Sequence, residues 1–278
     1  MQEVQFRKKR ESGEIITDSF LFLKQEIKPL SKLFALYVLP FVLVYAVFQI
    51  YMQKEIMSRI DLNNPEMILA NIKPVSMHFL ICCLFELFVN SLFIGVFYTY
   101  IDLYVKKGKG NFEMHEITGA LFSNSLKAFG AVLLLFSITV FGLTLCILPG
   151  IYFANTLSFA IFIAIFEKKG TGNAFSRSFY LVNKQWLNTL LVNVLGLSIL
   201  FGISLFLSIP TIMFDTFSGI RQNGIVEYPQ WYWFIMSVSI VCSIVLSVII
   251  YTFIAFQYFN IEERTKPVQP QAQNLLGE

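Results

Sequence analysis

The sequence predicts an all-α, polytopic integral membrane protein with about six transmembrane helices, and three observations support this. Apolar residues make up 56% of the chain and charged residues only 14%, and the mean hydropathy is +0.64. A soluble domain carries about 25% charged residues, so much of this chain's exterior must face lipid. The second observation is a series of six apolar stretches, most of them close to the ~20 residues that cross a bilayer. The third is an uneven distribution of Lys and Arg among the loops.

The predicted spans divide the chain as follows. They cover residues 33–52, 77–104, 128–148, 151–166, 187–209 and 231–259. Pro149 and Gly150 predict a tight turn between the third and fourth spans, and Pro210 predicts the end of the fifth. A basic segment, 1–10, precedes a single transmembrane domain, 11–264. We expect 265–278, which is rich in Pro and Gln, to be a mobile tail.

The positions of Lys and Arg predict the orientation of these spans. If both termini are cytoplasmic, 17 of the 21 basic residues lie on the cytoplasmic side, and the other four are Lys54, Arg59, Lys73 and Arg221. Such a bias is typical of cytoplasmic loops. The aromatic cluster at 228–233 fits the outer membrane interface.

An amphipathic segment on the cytoplasmic side precedes each of the three predicted hairpins. The first has Ile16, Phe20, Leu23 and Ile27 at helical spacing, and the second covers 111–127. The third covers 171–185, and its less polar face consists of Ala174, Phe175, Ser178, Leu181 and Val182. We expect these helices to lie in the membrane interface, with their basic residues towards anionic lipid headgroups.

Two parts of the chain carry a resemblance to a known family. They are Leu148-Pro149-Gly150, Glu167 and Ala174-x-x-Arg177-Ser178-x-x-Leu181 in the first part, and the sequence from Tyr258 to Arg264 in the second. This pattern resembles the bacterial membrane-domain families grouped around the glycerophosphoryl diester phosphodiesterase membrane domain and its uncharacterised relatives. The resemblance implies a membrane fold and a bacterial inner (cytoplasmic) membrane location. It does not imply hydrolase activity, because the phosphodiesterase of fused relatives is a separate soluble barrel.

Four polar residues inside the predicted spans are candidates for function: Glu86, Asn90, Asn155 and Asn193. A charge within the bilayer is costly, so Glu86 should face the helix bundle or a water-filled cavity. It is either a proton- or ion-coupling carboxylate or a protonated side chain that shares hydrogen bonds with Asn90 and a neighbouring helix. Asn155 and Asn193 are possible partners.

Two further groups have both a structural and a functional interpretation. Glu167, Arg177 and Ser178 at the inner interface form either a clamp for the third amphipathic helix or a contact with lipid headgroups. Ser239, Ser243 and Ser247 form a stripe of small residues that either lets helices pack closely or lines a polar path.

The sequence gives no reason to expect an enzyme, a cofactor or a metal. The two histidines, His78 and His115, lie on opposite predicted sides of the membrane, and all four cysteines fall within apolar runs. Topology accounts for the basic residues, so no nucleic-acid partner is expected. We expect a non-enzymatic subunit or scaffold of a membrane protein complex, with anionic lipids and other membrane proteins as partners. The alternative is a transporter or channel for a small or lipid-like molecule, with Glu86 as the coupling residue.

Overall fold

The computed structural model describes residues 3–59, 65–221 and 228–266, and all the regular secondary structure within them is helical, with no strand. The ten helices are α1 (Ser12–Tyr37), α2 (Leu39–Arg59), α3 (Pro65–Lys107), α4 (Met114–Leu145), α5 (Ile147–Thr156), α6 (Ala160–Phe166), α7 (Thr171–Asn183), α8 (Trp186–Arg221), α9 (Gln230–Leu246) and α10 (Val248–Thr265). The predicted all-α class is confirmed.

Several of these helices are long and apolar enough to cross a membrane. Five candidate spans are Lys73–Lys107, Met114–Leu145, Ile147–Phe166, Trp186–Phe217 and Gln230–Thr265. A sixth is obtained when α1 and the first part of α2, which meet at an angle of 57°, are counted as one bent span. The described chain is therefore a multi-pass membrane protein with five or six spans.

The predicted turn at Pro149 and Gly150 is wrong in detail, because the chain turns earlier. The break lies at Cys146, whose backbone is extended (φ −172°, ψ 158°), and Pro149 sits in the first turn of α5. Proline is tolerated there because the first N–H groups of a helix have no intrahelical partner. Gly150 instead allows α4 and α5 to pack closely. The two helices are so near each other here that a Cβ on Gly142 of α4 would lie 3.0 Å from the Cα of Gly150.

Other predicted boundaries also shift. α8 continues through Pro210, and the second amphipathic segment joins the third span in the single helix α4. Membrane helices tolerate proline because neighbouring groups satisfy the freed carbonyl. The last span is divided at Ser247 into α9 and α10. The predicted tail from residue 267 onward lies outside the described residues.

Helices α1 and α7 show how far periodicity predicts which face is buried. α7 buries the predicted face in full. α1 buries a neighbouring face instead, consisting of Ile15, Ser19, Phe22, Glu26 and Leu33. Of the predicted face of α1, Phe20 and Ile27 are exposed, whereas Ile16 and Leu23 are half-buried against the core. Both faces of α1 carry apolar residues, and periodicity does not decide between two such faces.

The short helix α6 occupies the centre of the bundle, and all seven of its residues are buried. The Phe162 ring meets Tyr98 of α3 edge-on, with centroids 4.9 Å apart, and Phe166 meets Phe259 of α10 at 5.0 Å. Neighbouring helices thus surround α6.

One end of the bundle, called the basic end here, brings together the N-terminal segment, the α3–α4 loop and the end of α10. There Lys109 pairs with Glu26 at 2.7 Å, and the backbone N–H of Arg10 donates to Asn260 at 2.8 Å. Phe6 is buried and stacks on Phe256, with ring centroids 4.3 Å apart. The described part of the predicted basic segment, residues 3–10, therefore closes this end of the bundle with its apolar side chains Val4 and Phe6.

Arg10 holds the N-terminal segment in place, and it is only 2% exposed. Its Nε donates to Asp18 at 2.8 Å and its Nη1 donates to the carbonyl of Phe6 at 2.8 Å. The guanidinium also lies 4.8 Å from the ring centroid of Phe256. Removing either partner of a buried, paired charge strongly destabilises the fold, because the remaining charge is left without compensation.

We predict that Arg10→Ala destabilises the protein by about 2–3 kcal/mol, because buried acceptors lose their charged donor. Arg7→Ala is the matched control: Arg7 is half-exposed and lies 3.5 Å from Glu262, so its loss should cost at most about 1 kcal/mol. Thermal unfolding of the detergent-purified protein measures both. Equal shifts for the two variants would contradict the structural role of Arg10.

Candidate functional site

One candidate site is a cavity of about 640 Å³ within the bundle. Residues of α3, α4, α5, α6, α8 and α10 line it, together with the short stretch between α5 and α6. Most of the lining is aliphatic. The few polar groups that reach the cavity therefore lie in an otherwise apolar lining.

The four intramembrane polar residues singled out from the sequence all line this one cavity: Glu86, Asn90, Asn155 and Asn193. Two of them form a pair, since Asn193 Nδ2 donates to Asn155 Oδ1 at 2.9 Å. Asn155 Nδ2 in turn donates to the carbonyl of Trp186 at 3.1 Å. Both amides are buried, so this pair joins α5 to α8.

Glu86 is exposed at the cavity wall rather than enclosed by the bundle. Its Oε2 accepts a hydrogen bond from Tyr45 of α2 at 3.3 Å. Asn90 does not bond the carboxylate, because its Nδ2 donates to the backbone carbonyl of Glu86 at 3.0 Å. The Oδ1 of Asn90 accepts from Tyr251 of α10 at 3.4 Å. The carboxylate thus has one long hydrogen bond and remains available to a ligand.

A break in the fourth span supplies a further polar group. Between α5 and α6 the chain is irregular at residues 157–159, and Ser158 lines the cavity there. The Ser158 Oγ is buried and has no hydrogen-bond partner within the described structure. Buried hydroxyls are rarely left unpaired, so this one is suited to a polar atom of a bound molecule. The sequence does not single out Ser158, because residues 151–166 have the composition of one continuous apolar span.

The charge that the described lining residues bring to the cavity is negative. Among the described residues that line it, Glu86 is the single Asp, Glu, Lys, Arg or His. An anionic ligand would find no basic side chain in this lining, whereas a cation or a hydrogen-bond donor would find a carboxylate.

The candidate inner-interface residues lie elsewhere, where α6 meets α7. Arg177 Nε is 3.5 Å from Glu167 Oε1, and Glu167 also accepts a hydrogen bond from Tyr258 at 2.7 Å. Lys169 Nζ lies 2.6 Å from the other carboxylate oxygen. Partial burial raises the pKa of the Glu167 carboxyl, but hydrogen bonds from Lys169 and Tyr258 and the charges of Lys169 and Arg177 lower it below the ordinary 4.5 overall.

Ser178 is fully buried, so it lies away from any lipid headgroup. Its Oγ donates to the carbonyl of Thr156 at 2.8 Å and accepts from the N–H of Phe159 at 3.2 Å. One hydroxyl of α7 therefore satisfies backbone groups on both sides of the break between α5 and α6.

The serine stripe does not reach the cavity. Ser239 and Ser243 lie on α9, and Ser247 lies at the junction with α10, where its Oγ donates to the carbonyl of Ile244 at 2.6 Å. None of the three is among the described cavity-lining residues. The described residues also contain no group of three or more His, Cys, Asp or Glu that is suited to a metal ion.

The fold and the cavity define a multi-pass, all-α membrane protein with a polar site inside an apolar bundle. Comparison with known proteins found no matching family model, no matching curated protein and no matching solved structure.

We predict that Ser178→Ala destabilises the protein by about 1–3 kcal/mol, because the Thr156 carbonyl and the Phe159 N–H lose a buried partner. Ser176→Ala is the matched control, since Ser176 is exposed on the same helix. Thermal unfolding in detergent compares the two variants. A Ser178 variant as stable as the Ser176 variant would show that the break does not depend on this hydroxyl.

Glu167 gives a pH-dependent prediction. Because its folded pKa is lowered, its stabilising effect is present above the ordinary pKa of 4.5 and is lost as the pH falls through the folded pKa. We expect Glu167→Gln to unfold at a lower temperature than the wild type at pH 7 and at nearly the same temperature in strong acid. Glu113→Gln, at an exposed position, is the control. A difference between wild type and Glu167→Gln that persists in strong acid would contradict the prediction.

Proposed function

We propose that the protein is a membrane carrier or transporter for a small amphiphilic molecule, which binds in the cavity with a cationic or hydrogen-bond-donating group towards Glu86. One observation carries this proposal. Five polar groups from three separate parts of the chain reach one apolar cavity: Glu86 and Asn90 of α3, Asn155 at the end of α5 with the unpaired hydroxyl of Ser158 just after it, and Asn193 of α8.

The dimensions and chemistry of the cavity support a small-molecule ligand. Ligand sites usually enclose about 300–1,000 Å³ and combine an apolar lining with a few convergent polar groups. The cavity of about 640 Å³ falls in this range and has such a lining. An apolar ligand body would contact the aliphatic side chains of α4 and α8, while its polar group would reach the asparagines and Glu86.

The location of Glu86 supports a role in handling charge. Glu86 lies 16 residues before Asp102, which corresponds to about 24 Å along the axis of α3. Asp102 pairs with Lys106 at 2.5 Å near the basic end. Acidic residues at such depth in a span commonly mark pathways for substrates, ions or protons. We infer that Glu86 neutralises a cationic group or carries a proton during transport, and the proposed activity contains no covalent step.

We place the protein in a bacterial cytoplasmic membrane with its basic end in the cytoplasm. The structure brings the N-terminal segment, the α3–α4 loop and the last turn of α10 to the same end. Cytoplasmic loops carry an excess of Lys and Arg. The resemblance to the membrane-domain families of bacteria points to the same location.

Glu86→Gln tests the proposal directly. We expect about a tenfold loss in affinity for a lipophilic fluorescent cation, because a charge-assisted contact is replaced by a neutral one. Glu116→Gln is the matched control, since Glu116 is bonded to Lys107 at the basic end and lies away from the cavity. Equilibrium binding and flux are measured with the purified protein in liposomes. A Glu86 variant that binds and transports like the wild type would contradict the proposal.

A second candidate function, a subunit of a membrane complex, is favoured by the second half of α8. Five large apolar side chains are exposed there and form a broad apolar surface: Phe201, Phe206, Ile209, Met213 and Phe217. Lipid or a partner helix would cover it. If the wild-type protein binds no lipophilic cation and purifies from its native membrane within a larger assembly of defined mass, the subunit function replaces the carrier function.

A further inference from the structure

A second cavity, called the α1 groove here, lies between α1, α3 and the junction of α9 and α10. Its volume is about 420 Å³, and its walls are apolar side chains such as Leu23, Phe93 and Val248. The polar side chains that line it, Lys24 and Ser31, both belong to α1. No residue of this lining belongs to the lining of the Glu86 cavity.

One wall of the α1 groove is the apolar face of α1 that is not fully buried in the core. Phe20 and Ile27 line the groove and are exposed, whereas Ile15 and Phe22, on the neighbouring side of α1, are fully buried in the core. The helix thus has one fully buried apolar face and a second apolar face that protein covers only in part. An apolar surface of this kind favours an apolar occupant over water.

The length of the groove fits one acyl chain. Its lining on α1 extends from Phe20 to Phe34, which corresponds to about 21 Å along the helix axis. A lipid chain spans one leaflet of the hydrocarbon core, which is about 15 Å thick. Because about 15 Å is less than about 21 Å, one acyl chain lying along α1 fits within the length of the groove.

A row of lysines follows the same helix. Lys24, Lys28 and Lys32 recur at intervals of four residues, so they lie one above another about 6 Å apart. All three are exposed, and no ion pair with a described residue involves any of them. Elsewhere at the basic end several cations are already neutralised: Lys106, Lys107, Lys109, Lys169 and Lys266 each pair with a carboxylate.

We propose that the α1 groove is a binding site for one anionic glycerophospholipid. An acyl chain occupies the groove, and the phosphate group contacts Lys24 and Lys28 at its edge. The apolar groove accounts for retention of the lipid, and the unneutralised lysines account for selection of a negative headgroup over a zwitterionic one. The site is independent of the proposed transport function, because it uses different residues.

The test compares lipids retained by the whole protein. Wild-type protein and variants are reconstituted in bilayers of equal parts phosphatidylglycerol and phosphatidylcholine, extracted in mild detergent and analysed by native mass spectrometry. We expect one phosphatidylglycerol retained by the wild type. Lys24→Gln combined with Lys28→Gln should reduce the preference by about fivefold for each lysine. Lys9→Gln combined with Lys127→Gln removes two exposed lysines away from the groove and should leave the preference unchanged.

A variant that fills the groove tests the acyl-chain part separately. Leu30→Trp places a large ring in the groove while all three lysines remain, so the bound lipid should be lost. An unfolding temperature close to that of the wild type, measured in detergent, verifies that the variant is folded. Retention of phosphatidylglycerol by the double Lys24 and Lys28 variant at the wild-type level would overturn the proposal. Equal retention of phosphatidylcholine by the wild type would also overturn it.

Discussion

The structure depends on burying a short helix inside the bundle without leaving its ends unpaired. α6 is surrounded by other helices, and the irregular residues 157–159 before it expose backbone groups in an apolar setting. Ser178 of α7 bonds both sides of that break, and Glu167, just after α6, accepts from Tyr258 of α10. The same break brings Ser158 to the cavity wall. The cavity is therefore a consequence of how α6 is held, because an unbroken fourth span would direct a different set of side chains inward.

Polar groups in this bundle fall into two kinds, according to whether their hydrogen bonds are complete. Gln257 bonds Thr189 at 3.2 Å and Asn260 at 3.1 Å, and Asn260 also receives the backbone N–H of Arg10. Such a network joins α8, α10 and the N-terminal segment and leaves little for a ligand. The cavity differs, because the Ser158 hydroxyl has no partner in the described structure and Glu86 has one distant donor. Within the cavity, Ser158 and Glu86 therefore retain hydrogen-bonding capacity that a ligand could use.

The sequence predicted the helical class, the approximate spans and the buried face of α7, because each depends on composition or periodicity within one segment. It also identified Glu86, Asn90, Asn155 and Asn193 individually. The sequence could not predict that these four residues converge on one cavity, because the spacing of residues within one helix does not give the rotation of that helix relative to another. The N-terminal segment was missed for a related reason: Val4 and Phe6 are too few to form a periodic pattern, and their burial arises from the aromatic surface of α3 and α10.

The two proposed sites share a wall, and the packing of that wall bears on whether they influence each other. Phe93 and Phe97 of α3 face the α1 groove, whereas Asn90 and Ile94 face the Glu86 cavity. A lipid in the groove changes affinity in the cavity only if it favours one position of α3 over another. At this level α3 is closely packed on α4, because a Cβ on Gly95 would lie 2.7 Å from the Cα of Ser125. With α3 fixed by that contact, an anionic lipid should act on the stability of α1 and leave recognition in the cavity to the cavity's own residues.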